Sequence, residues 1–288
     1  MNMISIIIPT YNRNDLLVKC LECLNPTIQD CGENKYEVIV TDDSKENIAK
    51  DLIFEKFNWV NWAAGPKQGP AANRNSGASK ATGDWILFID DDCLPDKDIV
   101  KEYSRSIALY KAALVFEGRT GPDRPQRRFD EECPSNETGG YLWSCNFMIN
   151  KETFFTALKG FDENFPYAAM EDVDLCYRLK KLGIDIVFLP QASVIHPWRK
   201  QTKTFRTTLN RYKAYLCLLD KHPEKSVETN VYSLLRVFYN ITIKQGILKL
   251  PVYKFRGFSS LMTRSFMSVV FSLYLLFRYY SKRRLALL

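Results

Sequence analysis

Residues 85–92 have the sequence WILFIDDD, an apolar run that ends in three consecutive aspartates. A continuous apolar run is typical of a strand that is buried on both faces of a parallel sheet. Side chains that follow such a strand project into the crevice where open α/β sheets bind ligands. Adjacent carboxylates repel one another, and a divalent cation, which prefers oxygen ligands, would offset that repulsion. We therefore expect a metal-assisted site at Asp90, Asp91 and Asp92; the alternative is a solvated acidic turn.

The first half of the chain alternates strand-like and helix-like segments. Strands are predicted at residues 4–9, 36–41, 59–62 and 85–90, and helices at 15–24, 45–57 and 71–81. Strands that alternate with helices imply right-handed βαβ units. The sequence therefore predicts an α/β fold with a Rossmann-like, mainly parallel sheet flanked by helices.

The second half begins with residues 117–140, which are rich in proline, arginine and acidic residues. We predict a long loop there, and loops of that length in a compact domain are usually functional or mobile. Further along, strands are expected at 141–149 and 184–189, helices at 151–158 and 172–182, and a helical pattern from 204 onward.

Charge is divided unevenly along the chain. Residues 1–196 contain 22 Lys and Arg against 30 Asp and Glu, a net charge of −8, whereas residues 197–288 contain 18 against 3, a net charge of +15. We predict a domain at 1–200, with halves at 1–95 and 96–200, followed by a basic helical extension at 201–288. Such an extension suits either nucleic acid or the anionic face of a membrane.

The cysteine pattern indicates reduced thiols. The chain opens in a strand-like run rather than a signal peptide, so we expect a cytoplasmic protein. The pair Cys20 and Cys23 has C-x-x-C spacing, but it lies within a helical apolar pattern, and this favours buried structural thiols over a redox or zinc site. The eight cysteines are at positions 20, 23, 31, 93, 133, 145, 176 and 217.

Two turns after predicted strands carry candidate binding residues. Pro9, Thr10, Tyr11 and Arg13 follow the first strand, where an aromatic ring suits a base and a cation suits a phosphate. Asp43 follows the second strand, where its carboxylate can accept a hydrogen bond from a ring N–H. Turn chemistry and helix capping are the alternative explanation for both turns.

Residues 69–77, GPAANRNSG, place small side chains around Arg74 just before the aspartate strand. Small residues allow a ligand to approach the helix, and Arg74 can bridge a diphosphate or hold the acidic cluster. The alternative is an ordinary arginine on a surface helix.

These motifs together resemble glycosyltransferase family 2 over about residues 3–200. The residues that carry the resemblance are the run 6–13, the turn 42–44, the segment 73–77, the cluster 90–92, and GFDE at 160–163 followed by EDVD at 171–174. The resemblance implies a GT-A fold in which the first half binds a nucleotide-sugar and the second half binds the acceptor.

The resemblance also implies roles for individual residues in donor binding. Asp90 and Asp91 would approach the ribose, and Asp92 would bind a divalent metal, Mn or Mg, as in an Asp-x-Asp motif. The donor site would be completed by Pro9, Thr10, Tyr11, Arg13, Asp43 and Arg74. Uridine is the nucleoside that the resemblance favours.

Asp172 would be the general base, and Glu171 would help to shape the acceptor site. Displacing a nucleoside diphosphate from an anomeric carbon requires charge stabilisation on the departing phosphate and proton removal from the incoming hydroxyl. With a metal at Asp92 for the first task and the Asp172 carboxylate for the second, the transfer would proceed with inversion in a single step. The alternative for Glu171 and Asp172 is favourable charge at a helix N-terminus.

His196 either completes the metal site, as imidazole can, or is a satisfied structural histidine. The sequence lacks a Gln-x-x-Arg-Trp motif and multiple long apolar spans, so transfer of one sugar per event is favoured over chain-extending synthesis.

Three other functions are alternatives to glycosyl transfer. Asp90 and Asp92 also suit a phosphohydrolase with an aspartyl nucleophile, but such a motif is expected on the first strand. Nucleic-acid binding rests on the basic tail alone, and the acidic domain opposes it. A catalytically inactive sugar-binding relative is disfavoured because Asp92 and Asp172 are both present.

Residues 265–277 form an apolar, aromatic stretch of 13 residues, with Arg264 before it and Arg278, Lys282, Arg283 and Arg284 after it. Crossing a bilayer needs about 20 apolar residues, so this segment predicts a helix that lies on a membrane without crossing it. The alternative is a helix packed on the domain. The expected acceptor is accordingly a glycan or lipid-linked precursor in polysaccharide biosynthesis.

Overall fold

The computed structural model describes residues 3–29, 36–228 and 231–285, and Cys31 lies outside them. The chain divides into two compact units. The first contains Met1–Asp123 and Cys133–Pro197, and the second contains Arg124–Glu132 and Trp198–Leu288. The sequence did not predict that the short segment Arg124–Glu132 would join the second unit.

The described residues of the first unit form eight strands in one sheet. They are β1 (Ile4–Thr10), β2 (Tyr36–Asp42), β3 (Val60–Ala64), β4 (Trp85–Ile89), β5 (Leu94–Pro95), β6 (Val115–Pro122), β8 (Asn146–Asn150) and β9 (Ile186–His196). Two further strands, β7 (Glu131–Glu132) and β10 (Arg199–Lys200), pair with each other in the second unit.

The sheet is mixed and mostly parallel, with the strand order β3-β2-β1-β4-β8-β6-β9-β5. Parallel pairings join β1 to β2 and β4, β2 to β3, and β6 to β9. Strand β8 runs antiparallel to both β4 and β6, and β5 runs antiparallel to β9. The carboxyl ends of β1, β2 and β4 therefore meet at one edge.

Six helices lie within the described part of this unit. They are α1 (Asn14–Cys23), α2 (Pro26–Gln29), α3 (Ala49–Lys56), α4 (Pro70–Ser79), α5 (Ile99–Leu109) and α6 (Glu171–Lys181). A π-helical turn covers Thr153–Ala157.

The core lies on both faces of the sheet. Leu87 and Ile89 of β4 pack in one hydrophobic cluster, whereas Ile86 and Phe88 pack in the other. This alternation follows from the period of two along a strand, and burial on both faces explains the continuous apolar run.

Several predicted boundaries were wrong. Residues 117–122 were expected in a loop but belong to β6, whose glycines and proline concealed a buried strand. The strand expected at 141–149 begins only at Asn146. Helix α5 was not predicted, although Ile99, Tyr103 and Ile107 have helical spacing and are buried. Helix α3 begins at Ala49 rather than at residue 45, and β9 extends to His196.

Glu117 explains why residues 136–142 are ordered next to β6. Its buried carboxylate accepts hydrogen bonds from the backbone N–H groups of Tyr141 and Leu142 at 3.2 and 2.8 Å, and from Asn136 Nδ2 at 3.0 Å. A buried carboxylate with several donors is stable because those donors replace water.

The second unit is helical. Its helices are α7 (Thr204–Lys221), α8 (Val231–Phe238), α9 (Leu250–Tyr253) and α10 (Phe258–Leu285). Two small cores hold it together, one around Phe129, Tyr253 and Leu261 and the other around Leu219, Leu234 and Leu275.

Helix α10 is longer than the apolar segment expected from the sequence. By length and composition, the 21 residues of Phe258–Arg278 are sufficient to cross a membrane, and 33% of that segment's apolar window is buried within the protein. The expectation that this segment is too short to cross was therefore wrong. The side chains of Lys282, Arg283 and Arg284 lie outside the described part of the chain.

Candidate functional site

The candidate site lies in the first unit, where the carboxyl ends of β1, β2 and β4 meet. Thr10 of β1 is in register with Asp42 of β2, and β4 runs parallel on the other side of β1. The residues that follow these strands come together because parallel strands end at the same edge.

Arg13 contacts two of the three consecutive aspartates. Its Nη2 lies 2.7 Å from Asp91 Oδ1, and its Nη1 lies 3.0 Å from Asp92 Oδ2. Thr10 donates its hydroxyl hydrogen to Asp91 Oδ2 at 2.7 Å. Burial raises the pKa of Asp91 to about 7, although Arg13 and Thr10 favour the charged carboxylate. The cluster thus carries its own cation.

Arg74 joins the aspartate strand to the start of α6. Its Nη2 lies 2.6 Å from Asp90 Oδ1 and its Nη1 lies 3.4 Å from Glu171 Oε1, while the guanidinium lies over the ring of Phe161 at 5.7 Å. Burial lowers the pKa of Arg74, but Asp90 and Glu171 outweigh burial and raise it overall. Of the two roles predicted for Arg74, the structure shows contact with the acidic cluster.

Asp172 carries a carboxylate whose pKa is raised by its surroundings. It is half-buried at the start of α6, and its carboxylate accepts the Val173 N–H at 2.8 Å and the Ser144 N–H at 3.5 Å. Burial, followed by the negative charge of Glu171, raises the pKa of Asp172 to about 7. A carboxylate with a pKa near neutrality can take up a proton under physiological conditions.

Met170, the residue before these two acids, has an unusual backbone conformation. It precedes α6 with a φ of 75°, in the left-handed region that non-glycine residues rarely adopt. Such strained positions persist where the surrounding structure holds them and are frequent at functional sites.

Three ligand atoms from Asp92, Cys93 and His196 lie within 4.8 Å of one another. His196 Nε2 is 3.3 Å from Asp92 Oδ1, and both side chains are buried. Hydrogen bonding to Cys145 and burial raise the pKa of the Cys93 thiol, so the sulfur stays protonated. Carboxylate oxygens suit both manganese and magnesium, and imidazole is a ligand of divalent transition metals, so Asp92 and His196 together fit manganese better than magnesium, and the neutral Cys93 thiol fits neither ion.

The acidic turn after β2 has a different structure. Asp42 accepts the Ser44 and Ala49 N–H groups at 2.8 and 2.9 Å, which caps α3. Asp43 accepts the Lys67 and Gly69 N–H groups at 2.8 and 3.2 Å. Asp43, expected to bind a base, therefore anchors the loop before α4.

Pro9 and Tyr11, which were also predicted to bind the nucleotide-sugar, differ in solvent exposure. Pro9 is buried within β1, whereas Tyr11 is 54% exposed in the turn that follows. An exposed ring in this turn is free to meet a planar ligand.

Two asparagines, Asn73 and Asn75, flank Arg74 in its motif, and the sequence predicted no role for either. Asn73 donates from Nδ2 to the Thr41 carbonyl at 3.0 Å. Asn75 accepts the Phe161 N–H at 2.9 Å and donates to the Phe161 carbonyl at 2.8 Å. Both therefore hold the segments around Arg74 in place, and the N-R-N pattern was the available signal.

The Glycosyl transferase family 2 model matches residues 5–153, just over half of the chain. The chain belongs to this family. Membership confirms the resemblance that was drawn from the motifs, and it favours glycosyl transfer over the phosphohydrolase and nucleic-acid-binding alternatives.

Two glycosyltransferases illustrate the similarity at the level of sequence. The Erwinia amylovora amylovoran biosynthesis glycosyltransferase AmsB is 25% identical over 210 residues, which cover 65% of this chain and 67% of the relative. An uncharacterized glycosyltransferase from Haemophilus influenzae is 33% identical over 192 residues, which cover 62% of each chain. The match thus spans about two thirds of the length of these relatives.

Solved structures of glycosyltransferases share the fold. Staphylococcus aureus TarS 1–349 in complex with UDP-GlcNAc has a TM-score of 0.56 at 19% identity, covering 87% of this chain and 78% of TarS. The Pyrobaculum calidifontis mannosyltransferase PcManGT in complex with GDP-Man and Mn²⁺ also has a TM-score of 0.56, at 12% identity, covering 93% and 87%. The expected GT-A fold is confirmed.

Proposed function

We propose that this family 2 member transfers one sugar per event from a nucleotide-sugar donor, UDP-linked, to a hydroxyl of a glycan or lipid-linked acceptor, with inversion. The observation that carries the proposal is the link through Arg74. It brings Asp90, at the donor end of the sheet, to Glu171, which precedes Asp172 with its pKa of about 7.

Donor binding would use the cations that now hold the acidic cluster. Arg13 is partly exposed, with 36% of its side chain accessible, so a diphosphate can compete for its guanidinium. Arginine suits this exchange because its planar fork matches phosphate as well as carboxylate oxygens. Asp90 and Asp91 would then face the ribose, and Tyr11 the base.

Asp92 and His196 would hold the divalent ion. When bound, the ion would supply positive charge for the departing diphosphate. TarS and PcManGT, which share the fold, are solved with UDP-GlcNAc and with GDP-Man and Mn²⁺, and this supports a metal-assisted nucleotide site.

Asp172 would accept the proton from the acceptor hydroxyl as that oxygen attacks the anomeric carbon. Its raised pKa suits this step, because a base near neutrality is both ionised and basic enough to act at physiological pH. Glu171 would keep Arg74 in place and raise the pKa of its neighbour. Inversion follows because attack and departure occur on opposite faces of one carbon.

Calorimetric titration tests the donor site. We expect UDP to bind more tightly with manganese than without it, and Asp92→Asn to abolish that difference while the protein stays folded. Asp98→Asn, which removes an exposed carboxylate at the start of α5, is the matched control and should titrate like wild type. Equal UDP affinity of Asp92→Asn with and without manganese is the expected result; the same manganese-dependent gain as wild type would show that Asp92 does not hold the ion.

We also propose that the second unit attaches to the cytoplasmic face of a membrane. Support comes from its exposed aromatic and aliphatic side chains, including Phe266 at 67% and Phe277 at 76% exposure, and from its net positive charge. A relative from Campylobacter jejuni is a GalNAc(5)-diNAcBac-PP-undecaprenol beta-1,3-glucosyltransferase, which acts on a lipid-linked acceptor.

Vesicle sedimentation measures this attachment. The full-length protein should sediment with phosphatidylglycerol vesicles at low salt and be partly released at high salt, since lipid-facing cations contribute on the order of 1 kcal/mol each. A protein that ignores anionic vesicles at low salt would contradict the attachment.

A further inference from the structure

The second unit contains a cavity of about 630 Å³ at the adjoining N-terminal ends of α7 and α10. Residues 200–206 form one side, and Ser259, Ser260 and Thr263 of α10 form the other. The hydroxyls of Thr204 and Ser260 lie 2.7 Å apart and tie the two helix ends together. The cavity is thus part of one helical unit, and the catalytic residues described above do not line it.

Three cations line this cavity, namely Lys200, Lys203 and Arg206. Among the described residues, Lys203 and Arg206 form no ion pair with an acidic side chain. The acidic residue in the lining is Asp130, whose carboxylate is held by Arg128 through contacts of 2.7 and 2.9 Å. Arg128 therefore already neutralises Asp130, and the cavity has positive charge available for an anion.

Hydrogen-bond donors add to this charge. The exposed residues Thr202 and Ser259 line the cavity with hydroxyl groups, whereas the Thr263 hydroxyl already donates to the Ser259 carbonyl at 2.9 Å. Helix α7 has 18 residues and begins after Lys203 without a side-chain cap, so the N–H groups of its first turn keep their capacity to donate. Cations, hydroxyls and free helical N–H groups are the donors that recognise phosphate oxygens.

An apolar stripe on α10 continues from the cavity. After Ser259 and Thr263, the same helical face presents Phe266, Val270, Leu273 and Phe277, each three or four residues apart. These four side chains are 67%, 50%, 61% and 76% exposed. At 1.5 Å per residue the stripe from residue 263 to 277 extends roughly 20 Å, which is the scale of a lipid chain.

We propose that this cavity binds the phosphate head of a phosphorylated lipid, a lipid phosphate or diphosphate, whose hydrocarbon chain lies along the exposed stripe of α10. The proposal deepens the membrane attachment proposed above and rests on it. The cavity supplies charge complementarity to a phosphomonoester, and the stripe begins at the cavity wall, so one amphiphilic molecule fits both features. A free phosphate ion would leave the stripe without a partner.

The test uses the full-length protein and vesicles matched for surface charge. One set contains phosphatidylcholine with about 10 mol % phosphatidic acid, and the other contains phosphatidylcholine with about 20 mol % phosphatidylglycerol, because a phosphomonoester carries close to two negative charges near neutral pH. We expect at least tenfold tighter binding to the phosphatidic acid vesicles. Equal binding to the two sets would overturn the phosphate site while leaving the membrane attachment intact.

Two double variants distinguish the effect of the cavity cations on vesicle binding from the effect of overall positive charge. Lys203→Gln with Arg206→Gln should remove the preference for phosphatidic acid, whereas Lys249→Gln with Lys254→Gln, which removes the same charge from exposed positions around α9, should keep it. If both double variants lost the preference to the same extent, the cavity would have no special role. If wild type bound neither set of vesicles, the membrane attachment itself would fail.

A measurement without vesicles distinguishes lipid binding from the binding of free phosphate. Calorimetry should show tighter binding of dioctanoyl phosphatidic acid than of inorganic phosphate, and Phe266→Ser should reduce only the former. Equal affinities would assign the cavity to a free anion and overturn the lipid. UDP titration of the same samples reports the donor site separately, so failure of the lipid site and failure of the glycosyltransferase proposal give different results.

Discussion

Two acidic turns follow β2 and β4, the parallel strands on either side of β1, and their carboxylates have different kinds of partner. After β2, Asp42 and Asp43 have both carboxylate oxygens on backbone N–H groups at 2.8 to 3.2 Å. After β4, the acids instead contact guanidinium groups, through Asp90 with Arg74 and through Asp91 and Asp92 with Arg13. Backbone donors are fixed in place, whereas arginine side chains can change partners.

This difference shows that acidic residues at corresponding strand ends can have either fixed backbone partners or arginine partners. A carboxylate that caps a helix or anchors a loop contributes to stability, because its oxygens already have backbone hydrogen-bond partners. Under the proposed function, a carboxylate that shares an arginine with its neighbours would release that cation to an incoming diphosphate. The acids at the start of α6 extend the second group, because Arg74 also contacts Glu171.

The largest expected effect is on Asp172. We expect Asp172→Asn to lose roughly a hundredfold to ten-thousandfold in turnover while keeping donor affinity and thermal stability, because a positioned base contributes that much. Asp174→Asn is the matched control in the same helical turn. It breaks a 2.7 Å ion pair with Arg178 and should lower stability while leaving the turnover of the folded protein nearly unchanged. A loss below about tenfold in Asp172→Asn would make Asp172 a helix-capping residue.

A second prediction contrasts the two kinds of partner directly. Arg74→Met leaves Asp90 and Glu171 without their buried cation, so we expect a loss of about 3 kcal/mol in the free energy of unfolding together with weaker donor binding. Asp42→Asn replaces the charged acceptor of two backbone N–H groups with a neutral one. We expect the free energy of unfolding to fall by about 1–2 kcal/mol and the affinity for UDP to stay unchanged. Chemical denaturation and UDP titration of both variants measure this. If Arg74→Met and Asp42→Asn bound UDP with similar affinity, the two turns would not differ in their contribution to donor binding.

The smallest effect is a shift in the pH profile. Burial and Glu171 raise the pKa of Asp172 to about 7. Because the base acts only when ionised, kcat should fall about tenfold per pH unit below that value and level off above it. Glu171→Gln removes the neighbouring negative charge and should move this acidic limb to lower pH. If the acidic limb of the kcat profile stayed at the same pH in Glu171→Gln, Glu171 would not raise the pKa of Asp172. In Asp172→Asn the acidic limb should be absent.

Much of the fold could be predicted because burial leaves a local signal. Strands β1, β2 and β4 and helices α1, α4 and α6 were predicted within a few residues, since each combines an apolar pattern with a clear break. Strand β6 was missed because its polar residue Glu117 is buried and satisfied by distant N–H groups from residues 140–142, which no local pattern reveals.

The sequence by itself determined which acids and arginines the site contains, their order along the chain and the family to which they belong. It could not determine their partners. The contacts of Arg13 with Asp92 and of Arg74 with Glu171 join residues 79 and 97 positions apart, and only the parallel sheet brings them together. The same is true of the cavity on the second unit, whose lining comes from segments more than 50 residues apart. The physical reason is that residue type fixes charge and hydrogen-bonding capacity locally, whereas burial and pairing, which decide what that charge does, arise only when distant segments pack.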